Sequence, residues 1–507
     1  MNIVSRGSHF LPLASDEPLV HLSCFCAGRE PFIKNLNLRK EEITLDKEVR
    51  SGGQGRYEID MCSGPILKKM LLFALPLMFS SILQLLFNAA DIVVVGRFAG
   101  DDSLAAVGST SALINLFTNL FVGLSVGANV AAARFFGAKQ ERELSDTVHT
   151  AMTLSLISGV VLTVLGMLGA SQMLELMQSP PEVIGLASDY LRIYFAGMTA
   201  TMAYNFGAAL LRAMGDTRRP LYYLLAAGAI NVVLNLLFVI KFQMDVEGVA
   251  LATVISQIIS AVLVLRCLIK EQGEFHLDLK RLRINGRALG VILSIGLPAG
   301  FQGIIFSASN VVIQSSVNGF GNIVVAGSSA AANIEGFVYM AMNAFHQAAI
   351  SFVGQNYGAG KYKRINRIVL TAQCCVVVTG LLLGNLAVFF GEPLLRIYTD
   401  SPAVVDAGLI RLGIITRTYA LCGIMDVMVG ALRGIGRSVM PMIVSLLGAC
   451  GLRLLWLATV FKIPEYHTID TVYMSYPISW IITLLVHIIC YVWAKRRITM
   501  KYGEGTD

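Results

Sequence analysis

Asp91 is the first residue whose type and setting could do chemistry. In QLLFNAADIVVVGRFAG (84–100) it stands among Leu, Ile and Val, about one helical turn after Asn88. A charge at the centre of a membrane helix costs roughly 2.5–3.5 kcal/mol on insertion scales. A proton, a bound cation or a set of hydrogen-bond donors has to offset that cost. A carboxylate whose energy changes by several kcal/mol on neutralisation has the property that ion coupling needs. The bland alternative is a carboxylate reaching water near its helix end, since Arg97 is only six residues on.

Two later stretches offer partners. AINVVLNLLF places Asn231 and Asn235 four apart, on one helix face, and GVALATVISQ contributes Thr253. Carbonyl, hydroxyl and carboxylate oxygens are hard ligands that suit sodium by the logic that suits calcium. They suit a hydrogen-bonded, protonatable carboxylate equally well, so the ion stays open between Na+ and H+. As pure structure, the two amides would join helices.

The second half carries its own polar set: Gln302 in LPAGFQGIIFSASN, Glu335 in ANIEGFVYM, and Asp426. Each carboxylate could bind a cationic substrate or a proton, or pair with a neighbouring Asn, His346 or Arg417. Pro76 and Pro298 withhold a backbone donor and tend to kink their helices, which suits a hinge or a static bend.

Enzyme chemistry is not encoded. His346 and His487 stand alone on apolar helices, and neither an HExxH helix nor a GxxxxGK[ST] phosphate loop occurs. Nine cysteines fall in no cluster at ligand spacing, so neither a structural metal nor a disulfide framework is expected, and no cofactor beyond the coupling ion.

The elements that position these residues follow from composition. The 507 residues are 55% hydrophobic and 14% charged, against about 25% charged in soluble domains. A helix needs ~20 apolar residues to span hydrocarbon, and twelve stretches qualify: about 66–96, 104–133, 147–170, 184–212, 220–241, 247–269, 288–317, 322–353, 368–391, 404–433, 439–462 and 470–494. The fold class is therefore an all-α polytopic membrane protein.

The net charge of +7 is a topology signal and gives no reason to expect nucleic acid. Lys and Arg crowd the amino-terminal flank, the even-to-odd loops and the carboxy-terminal end, while Arg97, Lys241, Arg396 and Lys462 alone mark the opposite side. Arg433 falls with the basic flank in that division; Arg192, Arg411, Arg417 and Arg453 fall inside spans. Both termini are expected in the cytoplasm of a cell that carries the protein in its plasma membrane. Residues 1–63 read as a polar cytoplasmic tail, with Met61 an alternative start.

The chain also repeats itself. ALLRAMGDTRRP (209–220) aligns with GALRGIGRSVMP (430–441), pairing Gly215 with Gly436 and Pro220 with Pro441. LELMQSPPEVI aligns with LRIYTDSPAVV, Gly137 pairs with Gly358, and Pro76 and Asn88 pair with Pro298 and Asn310. Two six-helix lobes, 64–269 and 288–498, are thus joined by a basic linker at 270–287, with 499–507 as a tail. An even number of helices per half makes the repeat parallel, the usual ground plan for alternating access.

ALPLMFSSILQLLFNAADIVVVGR, LRAMGDTRRP and the paired ALRGIG together resemble the MATE family of multidrug and toxic compound extrusion transporters, over about 64–498. The resemblance implies an antiporter that exports organic, often cationic, compounds in exchange for sodium ions or protons. It implies that Asp91 couples the ion and shares a polar pocket with Asn231, Asn235 and Thr253. A position that is Asp in some members is Asn235 here. The second half departs from the best-known branch: Ser307 and Ser309 stand in the region of a seventh-helix glutamate, and Cys422 in the place of a tenth-helix aspartate. No second-half sodium site is carried over. A monomer in the bilayer suffices for twelve spans. The alternatives are a lipid-linked oligosaccharide flippase on the same two-lobe fold, for which in-span basic residues look too few, and an intramembrane enzyme or assembly factor.

Overall fold

The computed structural model describes residues 57–177 and 181–503. Helices follow one another with short joints, and the described residues contain no strand. In chain order they are α1 (Ile66–Phe98), α2 (Asp101–Gly137), α3 (Glu141–Leu176), α4 (Pro181–Ala196 and Met198–Met214), α5 (Arg218–Lys241), α6 (Asp245–Lys270), α7 (Gly286–Asn318), α8 (Asn322–Gly358), α9 (Tyr362–Phe389), α10 (Pro402–Ile415 and Tyr419–Gly434), α11 (Val439–Lys462) and α12 (Ile469–Tyr502). Eleven are long and apolar enough to cross a membrane. The remaining expected span is α4, broken at Gly197. Its counterpart α10 is broken at the matching point by a 3-10 turn, Thr416–Thr418. Polar or functional backbone in membrane helices clusters at such breaks.

The repeat in the sequence is a repeat in the backbone. Gly215 and Gly436 close α4 and α10 with φ of +100° and +81°. Only a residue without a Cβ takes that left-handed turn cheaply, which is why both halves keep a glycine there.

The first helix of each half starts in the other half. In α1, Met70, Phe73, Ala74 and Leu77 belong to a core built from α8, α9 and α10, whereas Val94 and Val95 pack with α3, α4 and α6. Phe73 meets Phe352 of α8 edge to face at 5.6 Å. In α7, Ile292 and Ile295 sit against α2 and its neighbours, whereas Ile313 and Val317 join α10–α12. Pro76 and Pro298 lie next to the points where each helix changes hosts, and both helices run through them unbroken. Glycines let α7 lie directly on α2: a methyl at Gly123 would fall 2.3 Å from the Gly300 nitrogen.

One end of the bundle is sealed by lobe-to-lobe contacts, at the side bearing the basic loops. The α2 and α8 backbones touch where Gly137 faces Gln355 and Gly358 faces Arg134. Gln355 Nε2 donates to the Ala213 carbonyl (2.7 Å), Ser351 to Asn129 (3.2 Å) and Asn356 to the Met61 carbonyl (3.0 Å). The tail expected over 1–63 therefore ends in packed chain: Met61 is fully buried, and Arg364 holds the Ser63 and Gly64 carbonyls at 2.8 Å. Residues 1–56 lie outside the described residues.

The basic linker is also tied down. Asp146 of α3 accepts from Arg283 and Asn285, and Phe275 and Leu277 are buried in the first lobe.

Candidate functional site

Two polar centres emerge, one within the first lobe and one lined mostly by the second. In the first, α5 and α6 present their amides and hydroxyl to α1. Asn235 Nδ2 donates to one oxygen of Asp91, and Thr253 Oγ1 donates to the other at 3.4 Å. Asn231 Nδ2 reaches Thr253 Oγ1 at 3.4 Å, and its carbonyl accepts from Asn235 at 3.3 Å. All four residues named from the sequence thus form one hydrogen-bonded cluster. Donors from two other helices are what offset a carboxylate in an apolar helix.

The cluster is not saturated. Asn235 Oδ1 is buried and has no hydrogen-bond partner. Its own amide nitrogen donates both to Asp91 and to Asn231 Oδ1, so this oxygen belongs to the same cluster. A buried acceptor left unpaired costs about 1–3 kcal/mol, and a cation or a proton would satisfy it. The carboxylate and amide oxygens match a hard monovalent cation in donor chemistry. A π-helical turn, Leu237–Lys241, begins two residues after Asn235; such turns mark functional positions in helices.

The second centre is a cavity of about 640 Å³ bounded by α2, α7, α8, α10, α11 and α12. Gln302, Glu335 and Asp426 all line it. Drug-sized ligands occupy cavities of roughly 300–1,000 Å³. Glu335 is not free: Arg411 holds it with two parallel bonds of 3.0 and 2.9 Å and donates a third to Ser328 (2.8 Å). The sequence offered Asn, His346 or Arg417 as its partner. Arg411 takes that place because it faces Glu335 from α10, while Arg417 is exposed at the helix break.

Asp426 faces Tyr339 and lies in electrostatic reach of Arg433. Its backbone carbonyl accepts from His346 Nδ1 at 2.6 Å, so that ring nitrogen is satisfied while the ring itself lines the cavity. Gln302 Oε1 accepts from Arg433 at 2.9 Å.

Arg433 corrects the charge division drawn from the sequence. It is 6% exposed and lines the cavity. Its position near the end of α10, amid basic loops, hid that; only the Gly434–Gly436 turn just after it hints that the helix carries it inward. Arg453 was read only as an in-span charge, yet it too lines the cavity.

A sequence profile described as MatE matches residues 76–237 and 298–457, one stretch in each lobe. A probable multidrug resistance protein of Bacillus subtilis, YoeA, is 26% identical over 443 residues, covering 85% of this chain and 95% of its own. A second from the same organism, YpnP, is 27% identical over 394 residues, with 78% and 88% covered. An outward-facing multidrug resistance MATE family transporter of the MOP superfamily superposes with a TM-score of 0.81 at 22% identity, over 88% of this chain and 99% of its own.

Proposed function

The chain belongs to the MatE family, and from that premise we propose that it is a secondary antiporter that exports organic compounds in exchange for a sodium ion or proton taken up at Asp91. It is a multi-pass membrane transporter and not an enzyme. The observation that carries the coupling role is the Asp91–Asn231–Asn235–Thr253 cluster, with its buried, unpartnered amide oxygen. A separate cavity, lined mostly by the other lobe and closed on one side by α2, is the substrate chamber. The helices that change hosts, α1 and α7, link the two, so that ion uptake in one lobe alters how the lobes meet. Pro76 and Pro298 serve as the flex points. With both termini and the basic loops in the cytoplasm, the sealed end faces inward and this is the outward-open form.

A flippase for lipid-linked glycans is the poorer reading. Two of the three cavity arginines are offset by Glu335 and Asp426, too little basic charge for a pyrophosphate headgroup.

The test is efflux of ethidium and, in parallel, of fluorescein from cells expressing wild type or Asp91→Asn at matched abundance, with sodium and pH gradients collapsed separately. Wild-type efflux that one ionophore alone abolishes, and that the variant lacks, supports the reading. A variant that pumps as well as wild type overturns it.

A further inference from the structure

Among the described residues, the cavity keeps a guanidinium that no carboxylate answers. Arg453 is 3% exposed and follows directly on a π-helical turn of α11, Leu446–Gly451. Among the described residues its hydrogen bonding is a single bond from Nε to Ser479 Oγ, at 2.9 Å. Tyr476 and Trp480 lie against its face at 4.1 and 5.6 Å. Cation–π contact is worth up to about 2 kcal/mol when dry, less than the several kcal/mol that a buried ion loses on leaving water.

The charges along the wall can be set against one another. Glu335 answers Arg411 and Asp426 answers Arg433. Arg453 remains, so the cavity carries one positive charge in excess when both carboxylates are ionised. The two lobes are opposite in this respect. The position matching Asp91 in the repeat is the apolar Ile313, itself a cavity residue, and the charge that stands in the second lobe is an arginine. The wall beside it is aromatic, with Tyr339, Tyr419, Tyr476 and Trp480.

We propose that this cavity binds planar aromatic compounds bearing an anionic group, a carboxylate or a phosphate, with Arg453 as the anion's partner and Trp480 and Tyr476 as the stacking surface. The proposal names a substrate class for the chamber assigned above and rests on that assignment. Guanidinium and carboxylate or phosphate match as a fork of parallel donors. An anion would restore to Arg453 the solvation that folding removed. A purely cationic compound would meet like charge.

The probes are fluorescein, a xanthene with a carboxylate, and rhodamine 6G, the same ring system as a cation. Binding to purified protein is read by fluorescence anisotropy, with protein-free detergent subtracted. Wild type is expected to bind fluorescein at least tenfold tighter than rhodamine 6G. Arg453→Gln should weaken fluorescein by about tenfold or more, the loss of one charge-assisted contact. Arg453→Lys should recover part of that, and Gly290→Ala, outside the cavity and with nothing within 4 Å of an added methyl, should bind as wild type does. Equal or tighter binding of rhodamine 6G by wild type overturns the proposal, and that comparison decides even if Arg453→Gln does not fold. Fluorescein binding without gradient-driven export would leave this assignment standing while the antiport reading fails. Export of ethidium by a protein that does not bind fluorescein would do the reverse.

Discussion

Gly358→Ala tests how the sealed end is held. Gly358 closes α8 where its backbone crosses α2, and a methyl there would lie 1.9 Å from the Arg134 carbonyl oxygen. Carbon–oxygen contacts settle at ~3.3 Å, so the two helix ends must part by about 1.4 Å. Overpacking of this kind costs ~1–3 kcal/mol. The cost falls on the sealed form alone, because the opened form separates these helices. At about 1.4 kcal/mol per decade, the opened population rises roughly 5- to 150-fold.

Cys62 reports the change, since it lies in the seam with its thiol 3.9 Å from Gln355 Oε1. Burial first, and then the nearby Asp60 carboxylate, push this thiol from 9.0 up to about 11. A raised value means less thiolate at neutral pH, roughly a hundredfold less here, and the thiolate is the reactive form. Opening the seam hydrates the thiol and returns it toward its ordinary value. Alkylation by N-ethylmaleimide, followed at the Cys62 peptide by mass spectrometry, should therefore speed up at least fivefold in Gly358→Ala. Gly290→Ala, where a methyl meets nothing within 4 Å, is the control and should leave the rate unchanged. An unchanged Cys62 rate in folded Gly358→Ala would refute the reasoning.

Three other outcomes follow from the same geometry. Glu335→Gln strands a buried Arg411 and should cost about 3–5 kcal/mol, seen as a lower unfolding temperature; Glu335→Gln with Arg411→Met should recover most of it. Thr253→Val removes one 3.4 Å hydrogen bond to Asp91, worth about 0.5–1.5 kcal/mol, so efflux should fall by less than about tenfold and less than in Asp91→Asn. Gly123→Ala pushes a methyl onto the α7 backbone and should destabilise the protein by ~1–3 kcal/mol in thermal unfolding, with Gly290→Ala again neutral.

The chain disclosed its fold through two signals that do not depend on tertiary contacts. Apolar length located the helices, and the pairs Gly215–Gly436 and Pro76–Pro298 located the repeat. The cluster around Asp91 was legible because the cost of a carboxylate in hydrocarbon demands partners, and few polar residues were on offer. Three kinds of feature were not legible. The exchange of hosts by α1 and α7 depends on how lobes pack, and hydropathy is blind to which helix a buried face meets. The pairing of Glu335 with Arg411 joins residues 76 apart on helices whose rotation no periodicity sets. Arg433 was hidden by its company, since a basic residue at a helix end beside basic loops reads as a flank whether it points out or in.

The central claim is that Asp91 is where a downhill ion is exchanged for an uphill compound. Purified protein in liposomes, loaded with dye and given either a sodium gradient or a pH gradient alone, tests it most directly. The account predicts that one of the two gradients drives dye movement in wild type, and that Asp91→Asn, folded and still binding dye, responds to neither. Equal gradient-driven movement by Asp91→Asn and wild type would contradict it.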